Sequence, residues 1–242
     1  MDGFGDLSPP PEYEKVSWLA DIFVAGMGIG WLINYAAMIW HSYRGETYSM
    51  SIIPLCCNIG WELVYTAIYP SKNPVELVVF SAGLSLNFVI MVAATRAAKT
   101  EWKHSPLVAN NTPLIFVGGT TICFFGHIAL AVEIGPELSY SWGAVICQLL
   151  LSTGGLCQLL QRNSTRGTSF TLWISRFTGS CCTVGFAFLR WLYWHEVFGW
   201  LGSPLILWSL GSFILIDVTY GICFYRIHSA ETAVARKRVH QA

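Results

Sequence analysis

The 242-residue chain is short of charge: Asp, Glu, Lys and Arg together make up 12% of it, about half the roughly 25% usual in soluble proteins. Basic and acidic residues balance at 14 each, so no one-signed field suits nucleic acid or an acidic partner. Loop cysteines at metal-knuckle spacing are missing. All eight cysteines (Cys56, Cys57, Cys123, Cys147, Cys157, Cys181, Cys182 and Cys223) lie in apolar runs. That excludes a secreted disulfide framework and reads as small apolar fillers. The histidines are scattered and mostly in loops, so no metal site is expected. Low-complexity tracts, internal repeats and polar stretches long enough for a soluble domain are absent. The first residues (Asp2, Asp6, Pro9, Pro10, Pro11, Glu12, Glu14) lack the basic start of a cleavable signal peptide, so the first helix is expected to stay in the mature protein.

What is present is apolar. Hydrophobic residues reach 54% and the mean hydropathy is +0.50, values of an integral membrane protein. Apolar windows of about 20 residues, the length that crosses the hydrocarbon, fall at 17–40, 50–69, 74–94, 113–132, 141–160, 169–192 and 204–225. Pro74, Pro113 and Pro204 suit a first helical turn, and Arg44-Gly45-Glu46 and Asn163-Ser164-Thr165-Arg166-Gly167 mark breaks. With a luminal N-terminus, the cytosolic segments hold Arg44, Arg96, Lys99, Lys103, Arg162, Arg166, Arg226, Arg236, Lys237 and Arg238, against Lys15 and Lys72 on the other side. This positive-inside bias supports an odd number of spans. The expected architecture is an all-α bundle of seven transmembrane helices, with the N-terminus luminal and the C-terminus cytosolic. An acidic segment (1–16) precedes the membrane domain (17–225), and a basic cytosolic tail (226–242) follows it. Trp18, Trp40, Trp194 and Trp200 read as part of an interfacial belt, and Arg190 as a side chain that snorkels to the interface.

Two acids stand where charge is costly. Glu62 lies inside the second span and Asp217 inside the seventh, and an ionisable group in hydrocarbon needs a partner or a wet cavity. Both are expected to face one intramembrane cavity. Helical rise sets their depths from the cytosolic ends at about 18 Å for Glu62 and 12 Å for Asp217, with His127 at about 20 Å and Arg176 at about 10 Å. Depth therefore pairs Glu62 with His127 and Asp217 with Arg176. Asn58, Glu62 and Tyr65 share one helical face, where an amide and a phenol can bracket the carboxyl. Phe213, Asp217 and Tyr220 repeat the pattern on the last span. Bland alternatives stand beside these readings: an inert Arg176–Asp217 pair, a Glu62 hydrogen-bonded between helices, and a satisfied interhelical His127.

Desolvation favours the neutral carboxyl, the form a general acid needs. Its natural acceptor is a weakly basic oxygen on a lipid-soluble substrate. Protonating an epoxide opens it towards a carbocation, and aromatic faces such as Trp61, Tyr65 and Tyr220 stabilise cations without capturing them. An acid among aromatics in a dry pocket suits polyene cyclisation. The aspartate-rich and DxDD patterns of soluble terpene synthases do not occur, which argues against diphosphate ionisation. A retinal protein would need a lysine in the last span, a PQ-loop carrier a Pro-Gln dipeptide, and a receptor a larger basic loop with a luminal disulfide. None of these features is found in the sequence.

Several motifs add a resemblance. Met1-Asp2-Gly3-Phe4, Pro10-Pro11-Glu12-Tyr13, Gly26-Met27-Gly28-Ile29-Gly30-Trp31, Pro54-Leu55-Cys56-Cys57-Asn58-Ile59-Gly60-Trp61-Glu62, Glu133-Ile134-Gly135-Pro136, Tyr140-Ser141-Trp142-Gly143-Ala144 and Ser164-Thr165-Arg166-Gly167 resemble the fungal membrane-bound terpene cyclases, in particular the paxilline-type indole-diterpene cyclases. The resemblance implies a seven-helix enzyme without a cofactor that protonates the terminal epoxide of a prenylated aromatic. Its two essential acids fall on Glu62 and Asp217. It further implies an epoxidised geranylgeranyl indole as substrate, or an epoxyfarnesyl meroterpenoid precursor as in other members. A location in the endoplasmic reticulum membrane follows, downstream of a prenyltransferase and an epoxidase.

Overall fold

The computed structural model describes residues 8–45, 47–72 and 74–241. Asp2 and Asp6, the motif at 1–4 and the loop residue Glu46 lie outside that range, as does the side chain of Arg238. The described residues form helices and no strand. A short α1 (Pro11–Glu14) leads into α2 (Ser17–Arg44). Then α3 (Ile52–Leu63) continues into a π-helical turn, Val64–Ile68, before α4 (Pro74–Glu101), α5 (Pro106–Ile134), α6 (Pro136–Arg162) and α7 (Phe170–Tyr193). After α8 (His195–Phe198) and a 3-10 turn, Gly199–Gly202, comes α9 (Pro204–Gln241).

Six of these helices, α2, α4, α5, α6, α7 and α9, are long and apolar enough to cross a membrane. The remaining apolar stretch, Ile52–Ile68, is shorter, with 12 α-helical and 5 π-helical residues. At 1.5 Å per residue it reaches about 26 Å, against a hydrocarbon core of roughly 30 Å. Proline opens α4, α5, α6 and α9, where its missing N–H has no helical partner to lose. Pro113, expected to begin a span, instead lies inside α5. The polar triplet before it stays helical because Asn111 Nδ2 donates to Leu107 O at 2.8 Å and Thr112 Oγ1 to Val108 O at 2.7 Å; these side chains bond back along the helix. Likewise α4 and α9 outrun their expected ends, carried on by helix-favouring Ala, Arg and Lys.

Small residues set the helix spacing. An added Cβ on Gly30 of α2 would meet Ser175 O at 2.8 Å and Gly179 Cα at 2.9 Å, so the α2 and α7 backbones touch there, as small residues permit in membrane bundles. One turn on, buried Asn34 donates to Leu172 O at 2.7 Å. Elsewhere α3 packs on α5 and α6 on α9. Large apolar side chains such as Leu114, Ile122, Trp208 and Leu215 point outwards, the inside-out pattern of a lipid-facing surface. Trp18 and Trp40 are exposed, whereas Trp194, expected in the belt, is buried against Tyr13 and Phe198. Arg190 does not snorkel either: its guanidinium lies over the rings of Phe186 and Phe198, at 4.2 and 4.5 Å, because α8 folds back over it.

The Ser164-Thr165-Arg166-Gly167 motif proves to be a clasp between helix ends. Glu231 of α9 accepts from Ser164 Oγ at 2.7 Å and from the Thr165 backbone and hydroxyl. Glu101 of α4 binds both Arg162 and Arg166.

Gly30→Ala should lower the thermal midpoint of the detergent-solubilised protein through a destabilisation of about 1–3 kcal/mol. Gly126→Ala, with open space around the new methyl, should not. Thermal unfolding of the two variants beside the wild type checks this.

Candidate active site

Glu62 sits at the end of α3, just before the helix widens into the π-helical turn, a local irregularity that often accompanies function. The residue is 4% exposed. Its Oε2 accepts from Asn87 Nδ2 of α4 at 2.8 Å. One turn earlier, an added Cβ on Gly83 would lie 3.0 Å from Oε1, so the lack of a side chain there leaves room for the carboxyl. The Tyr35 hydroxyl of α2 is a further hydrogen-bonding neighbour of Glu62 and accepts from Asn58 Nδ2 at 3.0 Å. A phenol and two amides on three helices thus surround the acid, and every one of them is neutral.

The carboxyl borders a cavity of about 680 Å³, within the roughly 300–1,000 Å³ usual for organic ligands. Trp61, Phe80 and Tyr140 form its aromatic end beside Glu62. The Trp61 ring centroid is 5.1 Å from that of Phe80 and 5.2 Å from that of Tyr140, and Trp61 Nε1 donates to Tyr140 O at 3.1 Å. Phe213 of α9 and Phe186 of α7 line the cavity further along. Between α2 and α4 it reaches the outer face of the bundle, where Ile29, Leu32, Val78 and Val79, each more than half exposed, border it.

Several expectations need correction. Glu62 pairs with Asn87 rather than His127, because α4 lies closer to that face of α3 than depth alone could reveal. His127 instead approaches Cys57, with Nε2 3.5 Å from Sγ. Tyr65 does not bracket the carboxyl: it points towards α6, where its hydroxyl lies 2.5 Å from Ser139 Oγ. It backs the cavity wall, edge-on to Tyr140 at 5.1 Å. Asn58 reaches the acid only through Tyr35. Nor do the two carboxyls share one cavity, since Asp217 is fully buried and is absent from its lining.

Asp217 and Arg176 do pair, Oδ1 to Nη2 at 2.8 Å. Trp173 Nε1 donates to Asp217 O at 2.9 Å. The Arg176 guanidinium lies 4.9 Å over the Tyr220 ring, whose hydroxyl is 2.5 Å from Thr168 Oγ1. Tyr220 therefore serves this ion pair and not the cavity. The pair sits one helical turn beyond the cavity wall, four residues from Phe213 on α9 and from Ser180 on α7, both of which line it.

Tyr35, Phe80, Gly83, Asn87 and Tyr140 were missed from sequence. Asn87 alone carried a signal, an amide in the middle of the apolar run Leu84-Ser85-Leu86-Asn87-Phe88-Val89-Ile90.

Membrane-length apolar helices around a largely apolar, aromatic-lined cavity define an integral membrane protein of all-helical class. Comparison with known proteins gives the family. The Pyr4-like transmembrane terpene cyclases match residues 4–230, and the chain belongs to that family. It is 70% identical over 237 residues to terpene cyclase terB of Tolypocladium album, covering 98% of each chain. It is 64% identical to terpene cyclase ltmB of Epichloe festucae var. lolii, over 92% of this chain and 99% of that one. With terpene cyclase paxB of Penicillium paxilli the identity is 60%, over 97% and 96%. No solved structure matches the chain.

The buried pair makes a prediction of its own. Arg176→Met strands a carboxylate among apolar groups and should destabilise the protein by about 3–5 kcal/mol. The double variant Arg176→Met/Asp217→Leu removes both charges and should regain most of that loss. Thermal or denaturant unfolding in detergent reads both.

Proposed function

We propose that this terpene cyclase takes an epoxidised geranylgeranyl indole and that Glu62 starts the reaction by protonating the epoxide. The observation that carries the proposal is a buried carboxyl with neutral hydrogen-bond partners, facing a large and mostly apolar cavity beside Trp61, Phe80 and Tyr140, which Glu137 and Arg190 also line. An ionised carboxylate is costly in such surroundings. The neutral acid delivers its proton to the epoxide oxygen, the C–O bond to the more substituted carbon breaks, and the nearest alkene attacks the cationic centre. Successive alkenes repeat the attack, each ring closure moving the positive charge along the chain. The aromatic faces stabilise that charge in passing. Loss of a proton from the final cation, which the indole stabilises, balances the proton given at the start. The epoxide oxygen remains as a hydroxyl, so the overall change is an isomerisation that consumes no co-substrate.

Asp217 acts at one remove in this reading. Its ion pair with Arg176 holds α7 and α9 so that Phe213, one turn along, faces the substrate chain. The indole-diterpene substrate is supported by the high identity to relatives such as paxB over nearly the full chain. The side opening between α2 and α4 suits delivery of the epoxide from the bilayer, after a prenyltransferase and an epoxidase have made it.

The same reading places seven helices across the membrane, Ile52–Ile68 included, with the N-terminus luminal and the basic end of α9 cytosolic. Lysine and arginine bias in the loops supports this orientation, and an epoxidase partner typical of the endoplasmic reticulum supports that membrane.

Expression in a heterologous host supplied with the epoxide, followed by product identification, tests the proposal. The wild type should yield a polycyclic indole diterpene. Glu62→Gln should be folded and cut the rate by roughly 10²–10⁴-fold; wild-type turnover by that variant, or cyclisation only of a farnesyl epoxide, overturns the assignment. Asp217→Asn should also lose product, and an unchanged rate would leave the ion pair a purely structural link.

A further inference from the structure

Outside the acid network, three buried side chains that the reaction does not use converge from separate helices. Cys57 of α3, His127 of α5 and Cys147 of α6 are 5%, 5% and 6% exposed. One ligand atom from each lies within 4.8 Å of the other two. The spacing is informative. An ion bound tetrahedrally with Zn–S near 2.3 Å and Zn–N near 2.0 Å holds its sulfurs about 3.8 Å apart and sulfur and nitrogen about 3.5 Å apart. Cys57 Sγ stands 3.7 Å from Cys147 Sγ and 3.5 Å from His127 Nε2.

We propose that Cys57, His127 and Cys147 form a site for a zinc-class divalent cation in the wall of the cyclisation cavity. Charge supports the assignment as well as distance. Binding displaces one proton from each thiol, and the two thiolates with one neutral imidazole cancel the cation's double charge. The loaded site is therefore neutral overall, which a low-dielectric interior tolerates where a lone charge is not tolerated. Thiolate and imidazole donors favour zinc and similar borderline-soft ions over magnesium or calcium, which take oxygen ligands. Access is provided as well: Cys147 lines the cavity, so an ion can arrive through it and a water can complete the coordination from that side. The sequence disguised this set. Its members are 70 and 20 residues apart, and each lies in an apolar run that reads as filler.

The site is independent of the proton-donating role assigned to Glu62, and its test is a binding measurement. The full chain is purified in detergent with any affinity tag removed, incubated with Zn²⁺, passed through gel filtration and analysed for metal. The wild type should retain one equivalent, as should Glu62→Gln and Cys157→Ser. Cys57→Ser and Cys147→Ser should retain none. Should the serine variants fold poorly, Co²⁺ added to the wild type decides the matter. Tetrahedral ligand-field bands together with a thiolate-to-cobalt charge-transfer band are expected. No retained zinc and no such bands would overturn the proposal and leave the three side chains a thiol–imidazole hydrogen-bonded cluster. Retention undiminished in both cysteine variants would overturn it too, by moving the metal elsewhere.

Discussion

A carboxyl group in hydrocarbon is stable when neutral or when paired with a cation, and the two buried acids Glu62 and Asp217 have partners of these two kinds. The partners around Glu62 are Asn87 and Tyr35, which can hydrogen-bond an acid without compensating a charge. Asp217 has Arg176 at 2.8 Å, which compensates a charge in full. Each partner set follows from which helix packs on which. α4 offers Gly83 and Asn87 to α3, so an acid fits and meets an amide. α7 offers Arg176 to α9, so the second acid meets a guanidinium. Two residues of the same chemical class are thereby given opposite characters by their neighbours, and only Glu62 also borders open space.

That difference organises the rest of the bundle. The cavity exists because α2, α4, α6, α7 and α9 surround it with side chains that leave room above Glu62, while close backbone contact between α2 and α7 at Gly30 and Gly179 holds the far wall. Clasps at one end, through Glu101 and Glu231, fix the loop between α6 and α7 and with it the direction of both helices. Phe213 and Tyr140 arrive beside the same space from different helices. A membrane-soluble polyene threaded between them would lie with one end at the acid and its alkenes against aromatic faces.

Much of this was legible in the sequence because the costly features are local. A charge inside an apolar run is visible without any structure, and so are the membrane-length windows and the Arg176–Asp217 depth match. The neighbours of Glu62 were not legible, because depth fixes a residue's level in the membrane but not which helix stands next to it. Depth chose His127; packing chose Asn87. Tyr65 was placed wrongly for a related reason: sharing a helical face with Glu62 does not fix which neighbouring helix a long side chain reaches, and Tyr65 meets Ser139 of α6. Phe80 and Tyr140 look like ordinary apolar lining until the helices are assembled. The Cys57, His127 and Cys147 set escaped because ligand spacing rules are written for loops and single helices, not for three helices meeting inside a membrane.

The proposed chemistry requires Glu62 to rest as the neutral acid, ready to give a proton to an apolar substrate's oxygen. Infrared difference spectroscopy of the reconstituted protein against Glu62→Gln tests it most directly. A protonated-carboxyl C=O stretch is expected in the wild type, shifting in D₂O and lost in the variant. A difference spectrum containing only carboxylate bands would show that Glu62 is ionised at rest and would contradict it.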